Sequence, residues 1–130
     1  MPPLDLPNRL AVGIDLVEVE RIAEALARFG DRFLQRVYTA DELAIIGQNP
    51  IRLAGRFAAK EACAKALGTG IDGPRWRELE CLRDPAGKPT LRLHGAAAAR
   101  ARELGWHSLD VSISTTHRHG IALVVALGAD

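Results

Sequence analysis

The chain has 130 residues, a net charge of +1, and 48% hydrophobic against 25% charged residues. That balance excludes a disordered polymer and gives no reason to expect nucleic-acid binding, and the length fits one domain with a modest core. No apolar run reaches the ~20 residues of a membrane span, and Cys63 and Cys81, without C-x-x-C spacing, read as free thiols of a reducing compartment or as one disulfide.

Residues 1–7 contain Pro2, Pro3 and Pro7 with no basic stretch, so they read as an arm and not as a secretory signal. The expected organisation is a flexible arm over 1–8 and one domain over 9–130, with the cytoplasm as default location. Residues 10–17 alternate as a strand. Leu10, Val12, Ile14 and Leu16 face one way, and Ala11, Gly13, Asp15 and Val17 the other. A helix over 18–29 follows from the spacing of Ile22, Leu26, Phe29 and Phe33, with Gly30 as its stop. Arg21, Arg28 and Arg32 share another side of it if the helix survives Gly30.

Thr39 and Glu42 have capping-box spacing, so a short helix starts there and ends by Gly47. Asn49-Pro50 breaks the chain before a long helix over 51–67, which Gly68-Thr69-Gly70 stops. Residues 74–77 read as a loop. Strands over 79–82 and 90–93 form a hairpin around the turn Asp84-Pro85-Ala86-Gly87-Lys88-Pro89. An alanine-rich helix covers 95–103 and is closed by Gly105. Residues 109–114 alternate as a strand, and 121–127 read as a well-buried final strand. This order of elements predicts an α+β domain with a largely antiparallel sheet.

The long helix carries three rows at four-residue spacing. Ala54, Ala58 and Ala62 are small enough for another backbone to come close. Arg52, Arg56 and Lys60 repel unless an anion neutralises them, and otherwise form a solvated basic edge. Leu53, Phe57, Glu61 and Lys65 begin apolar and end ionic, and an intrahelical Glu61–Lys65 pair is their simplest reading. Asp15 and Glu61 both stand where periodicity asks for a core residue. A lone buried carboxylate is costly, so each needs a proton, a cation or a donor. Two on neighbouring elements can share one divalent cation. Singly, neither is diagnostic.

Together they sit in two recognisable segments. Gly13-Ile14-Asp15-Leu16-Val17-Glu18-Val19-Glu20-Arg21-Ile22 resembles the opening signature of the holo-[acyl-carrier-protein] synthase type of 4′-phosphopantetheinyl transferase. Gly55-Arg56-Phe57-Ala58-Ala59-Lys60-Glu61-Ala62, with Lys65-Ala66-Leu67-Gly68-Thr69-Gly70-Ile71, resembles its second signature. Gly87-Lys88-Pro89 and the pair Val111-Ser112-Ile113-Ser114 and Ile121-Ala122-Leu123-Val124-Val125 resemble its hairpins.

The resemblance implies a single catalytic domain, its sheet wrapped around a long central helix. The implied reaction moves the 4′-phosphopantetheine arm of coenzyme A to a serine of apo acyl carrier protein, in fatty-acid biosynthesis. Adenosine 3′,5′-bisphosphate leaves. Magnesium is implied as cofactor on Asp15 and Glu61, with Lys65 as a further catalytic residue reaching a phosphate. Arg56, Lys65, Gly68, Gly70 and Lys88 are the expected coenzyme-binding positions. Arg21, Arg28 and Arg32 are expected to dock the acidic carrier protein. A homotrimer with active sites at subunit interfaces is implied, with no nucleic acid or membrane as partner.

Two other readings stand beside it: a magnesium-dependent nucleotide-diphosphate hydrolase, and a non-catalytic subunit binding coenzyme A or carrier protein. The chain also departs from the family pattern. Thr115 stands where many members have histidine, with His117 and His119 following, and Ala86 stands where some have asparagine. The coenzyme 3′-phosphate is then left to Arg52, Arg56 or Lys88. His94 and His107 have no metal-like spacing and read as structural or exposed.

Overall fold

The structure is a computed structural model that describes residues 1–4, 9–69 and 75–128. Its first strand, β1 (Leu10–Glu18), runs directly into helix α1 (Val19–Phe29). Gly30, at φ 55°, takes a conformation costly for a residue with a Cβ, and the helix stops there as expected. A second helix, α2 (Asp31–Val37), which the spacing did not predict, starts at once. Helix α3 (Ala40–Ile46) opens with the predicted capping box. The Glu42 amide donates to Thr39 Oγ1 at 3.1 Å, and the Thr39 amide donates to Glu42 Oε1 at 2.9 Å.

The long helix α4 (Pro50–Leu67) is capped by the Asn49 side chain, which accepts from the amides of Ile51 and Arg52. Gly68 ends it in the left-handed region at φ 75°. One turn of 3₁₀ helix (Trp76–Glu78) lies where a loop was expected. The hairpin β2 (Leu79–Arg83) and β3 (Pro89–Leu93), helix α5 (Gly95–Glu103), and strands β4 (Trp106–Thr115) and β5 (His119–Gly128) complete the chain.

All strand pairing is antiparallel, in two sheets: β1-β5-β4, and the separate hairpin β2-β3. The three-stranded sheet lies on α4. Leu53, Ala54, Ala58, Ala62 and Cys63 are buried on the helix, against Val17, Val111, Ala122 and Val124 from the strands. The alanine row does what its size suggested. A Cβ built on Gly13 would stand 1.8 Å from the carbonyl oxygen of Ala62, and one on Gly120 would stand 2.9 Å from the backbone of Ala54. The sheet therefore meets the helix main chain to main chain.

One expectation needs correction, and one point left open is decided. Strand β5 is buried on one side only: Ala122, Val124 and Ala126 face inward, while Ile121, Leu123, Val125 and Leu127 are exposed. On β1 the small side is the inner one, and Leu10, Val12, Ile14 and Leu16 are exposed. The helix takes the small residues because only they permit its close approach. The large aliphatics are left outside. Cys63 and Cys81 are free and buried, and burial is the main cause that pushes their thiols up to about 12 and about 11. Among the described residues, no helix is long and apolar enough to cross a membrane.

Candidate active site

Strand β1 presents Asp15 and, at its end, Glu18 to the same cleft that receives Glu61 from helix α4. Asp15 is on the inner side of β1 because odd positions there face the helix. Glu61 precedes Ala62, the residue whose carbonyl meets Gly13. The cleft has a volume of about 510 Å³ and is lined by Asp15, Glu18, Arg21, Ile22, Phe33, Phe57, Glu61 and His119, among others. The structure thus unites the two acids that the sequence separates.

Their electrostatics are coupled. Glu61 titrates above the usual carboxylate range, first because burial opposes its charge and then because Asp15 adds a second negative charge nearby. Lys65 offsets part of this. The lysine does not form the expected intrahelical pair with Glu61. Its ammonium donates to Asp15 Oδ1 at 3.0 Å and to the Ile14 carbonyl oxygen at 2.9 Å, so it crosses from α4 to β1.

These residues suit a hard cation. Three carboxylates, Asp15, Glu18 and Glu61, face Arg21 and the Lys65 ammonium, which leaves an excess of negative charge, and carboxylate oxygens are the donors such a cation prefers. Among the described residues no three His, Cys, Asp or Glu side chains converge on a point. A cation held here takes its remaining ligands from water or from a bound molecule, as magnesium commonly does.

The other expected residues scatter. Arg21 lines the same cleft. Arg28 lies over the Phe29 ring at 5.1 Å from its centre. Arg32 belongs to α2, because Gly30 breaks the helix, so it does not share the α1 face predicted for it. It lines an adjoining groove of about 350 Å³ with Phe29, Phe33, Phe57 and Trp76.

The basic row of α4 does not act as one. Arg52 is exposed, and Arg56 is half-buried with its Nε lacking a hydrogen-bond partner. Lys60 is fully buried and donates to Glu42 Oε1 at 2.7 Å, to the Leu79 carbonyl at 2.9 Å and to the Trp76 carbonyl at 3.1 Å. It is a structural ion pair, neither a solvated edge nor a ligand for an anion. Lys88 pairs with Asp110 and lines a separate cleft of about 480 Å³ with Ser112, Ile113, Leu123 and Val125. Gly68 caps α4, and Gly70 lies outside the described residues.

Of the two late histidines, His119 reaches the carboxylate cleft, opposite Glu18 in the β1–β5 register. His117 lines a separate recess with Glu20 and Arg118. His94 Nε2 donates to Glu80 Oε1 at 3.0 Å, a structural contact. Sequence reasoning missed Phe33 and Phe57 as cleft walls, although Phe57 stands one helical turn before Glu61 and its placement was readable from that spacing.

Comparison with known proteins adds a second line of evidence. The profile of the 4′-phosphopantetheinyl transferase superfamily matches residues 11–124. A holo-[acyl-carrier-protein] synthase of Herpetosiphon aurantiacus is 47% identical over 126 residues, covering 92% of this chain and 99% of the relative. One from Solidesulfovibrio magneticus is 54% identical over 119 residues, covering 90% and 97%. The crystal structure of the Helicobacter pylori holo-[acyl-carrier-protein] synthase in complex with coenzyme A superposes with a TM-score of 0.81 at 32% identity, covering 88% of this chain and 98% of that one.

Proposed function

The chain belongs to the 4′-phosphopantetheinyl transferase superfamily, and from that premise we infer that it catalyses the holo-[acyl-carrier-protein] synthase reaction. It transfers the 4′-phosphopantetheine group of coenzyme A to a serine of apo acyl carrier protein and releases adenosine 3′,5′-bisphosphate. The observation that carries this reading is the meeting of Asp15 and Glu61 in one cleft beside Lys65.

In this reading Asp15 and Glu61 would hold magnesium, which would supply Lewis acidity at the donor diphosphate. The serine oxygen attacks the phosphorus that carries the pantetheine arm. The bond from that phosphorus to the bridging oxygen breaks, and the adenosine bisphosphate departs with that oxygen. Lys65 offsets the charge that gathers on the phosphates, and Glu61 accepts the serine proton.

The carrier protein docks beside this cleft. Arg21 on its wall, Arg28 above Phe29 and Arg32 on α2 offer cations to an acidic partner. Arg21→Glu is expected to raise the KM for carrier protein at least tenfold, roughly the cost of reversing one close charge, and to leave the KM for coenzyme A unchanged. Steady-state kinetics with each substrate varied in turn checks this.

The exposed aliphatics of β1 and β5 support a homotrimer in which these faces are covered by other copies of the chain. The Lys88 cleft includes Leu123 and Val125 of that face, which supports an active site completed at a subunit boundary and a coenzyme contact from Lys88. Fatty-acid biosynthesis in the cytoplasm is the setting that these substrates imply.

The deciding experiment is the intact mass of apo carrier protein after incubation with this chain, coenzyme A and magnesium. A gain of one phosphopantetheine is expected. Release of adenosine bisphosphate without carrier protein would point instead to a hydrolase, with water in place of the serine.

A further inference from the structure

We propose that Lys65 competes with the divalent cation for Asp15, and that the ammonium leaves this carboxylate for the donor's phosphates as metal and donor enter together. The proposal rests on the metal reading above and deepens it.

The geometry gives three reasons. First, both oxygens that hold the ammonium, Asp15 Oδ1 and the Ile14 carbonyl, belong to β1, although the lysine stands on α4 one turn after Glu61. The lysine is already occupying the charge of one metal ligand. Second, the two partners differ in freedom. The lysine side chain is 52% exposed and the Asp15 side chain 17%. A flexible stem with three donors can swing away from a carboxylate that its strand holds in place.

Third, the charge is unequally balanced. The hydrogen bonds of the ammonium go to Asp15 and the Ile14 carbonyl, and none goes to Glu61, although both acids line the same cleft. The ammonium therefore serves Asp15 and leaves Glu61 poorly compensated. A dication touching both acids compensates both. An ammonium remaining beside it would then face a like charge at short range. The donor diphosphate offers that ammonium an anionic partner in the same cleft. Metal and donor should therefore each tighten the binding of the other, and by linkage the two effects are equal.

The test reads metal binding, not turnover. Free Mn²⁺ is followed by electron paramagnetic resonance while it is titrated into the full chain, with and without coenzyme A. The chains compared are the unaltered one, Lys65→Met, Lys65→Arg and Asp15→Asn. Without coenzyme A, Lys65→Met is expected to bind Mn²⁺ more tightly than the unaltered chain, by on the order of 5–150-fold. Lys65→Arg, which keeps the cation, should stay close to the unaltered value. Coenzyme A should tighten Mn²⁺ binding in the unaltered chain, and by a smaller factor in Lys65→Met.

Equal or weaker Mn²⁺ binding by Lys65→Met overturns the proposal, since it means that Asp15 serves both cations at once. If the unaltered chain with coenzyme A binds no more Mn²⁺ than Asp15→Asn, the metal reading itself fails, and this proposal with it. Should Lys65→Met not fold, nitrogen-15 lysine spectra of the unaltered chain give the same answer. The signal of the bonded ammonium should move when Mg²⁺ and coenzyme A are added, and a signal that stays in place overturns the proposal.

Discussion

Burial and Asp15 both oppose a charge on Glu61, so this residue works against the stability of the metal-free fold. The sign follows from linkage. Its folded affinity for a proton is raised, so the folded state binds more protons than the unfolded one between the ordinary and the raised titration points. Stability therefore falls as pH rises through that window and stays lowered above it. Glu61→Gln is expected to raise the melting temperature at neutral pH in the presence of a chelator. The gain should vanish as pH falls below the ordinary carboxylate range. The same substitution should cut turnover by at least ~100-fold, the usual order for losing a proton acceptor. Paired melting curves at several pH values and a single-turnover assay check both halves. The two acids themselves were legible in the sequence, since each broke a periodic apolar pattern. The partner of Lys65 was not. A residue four positions away is always the first candidate within a helix, and nothing local announces that β1 passes closer.

Lys60 teaches the same lesson for a whole element. Counted every four residues, it joins Arg52 and Arg56 as a basic edge. Counted every seven, it falls between Leu53 and Leu67, both fully buried, and so does the lysine. The second count was available and gives the right side of the helix. Its partner Glu42 was not readable as such, because the capping box of α3 already accounted for that side chain. In the structure Glu42 caps α3, accepts from the Cys81 amide at 3.1 Å through Oε2 and holds Lys60 through Oε1. One carboxylate thus ties α3, α4 and β2 together. Burial pushes the Lys60 ammonium down, and Glu42 only partly restores it. Removing one partner of a buried pair leaves the other unpaired, at a cost of about 3–5 kcal/mol. Lys60→Met is expected to lose stability of that order in chemical denaturation. Lys60→Met combined with Glu42→Gln should recover part of it.

At the scale of the molecule, the alternation of β1 was plain in the sequence, but which side is inner was decided by α4. A helix lined with Ala54, Ala58 and Ala62 accepts Ala11, Gly13 and Val17, and it rejects the larger set. Leu10, Val12, Ile14 and Leu16, with Ile121, Leu123, Val125 and Leu127, are left as one outer apolar face. Ile14 and Leu123 stand opposite each other in the register, near the middle of it. Ile14→Lys is expected to yield monomers that keep their secondary structure, as judged by light scattering and circular dichroism. Turnover should fall with the assembly. The inner side of the same sheet has a different consequence. Gly13 rests on the carbonyl of Ala62, two residues from Asp15 in one direction and one residue from Glu61 in the other. The spacing of the two backbones that carry these acids is thus set by a main-chain contact, and a side chain added at Gly13 would push Asp15 away from α4.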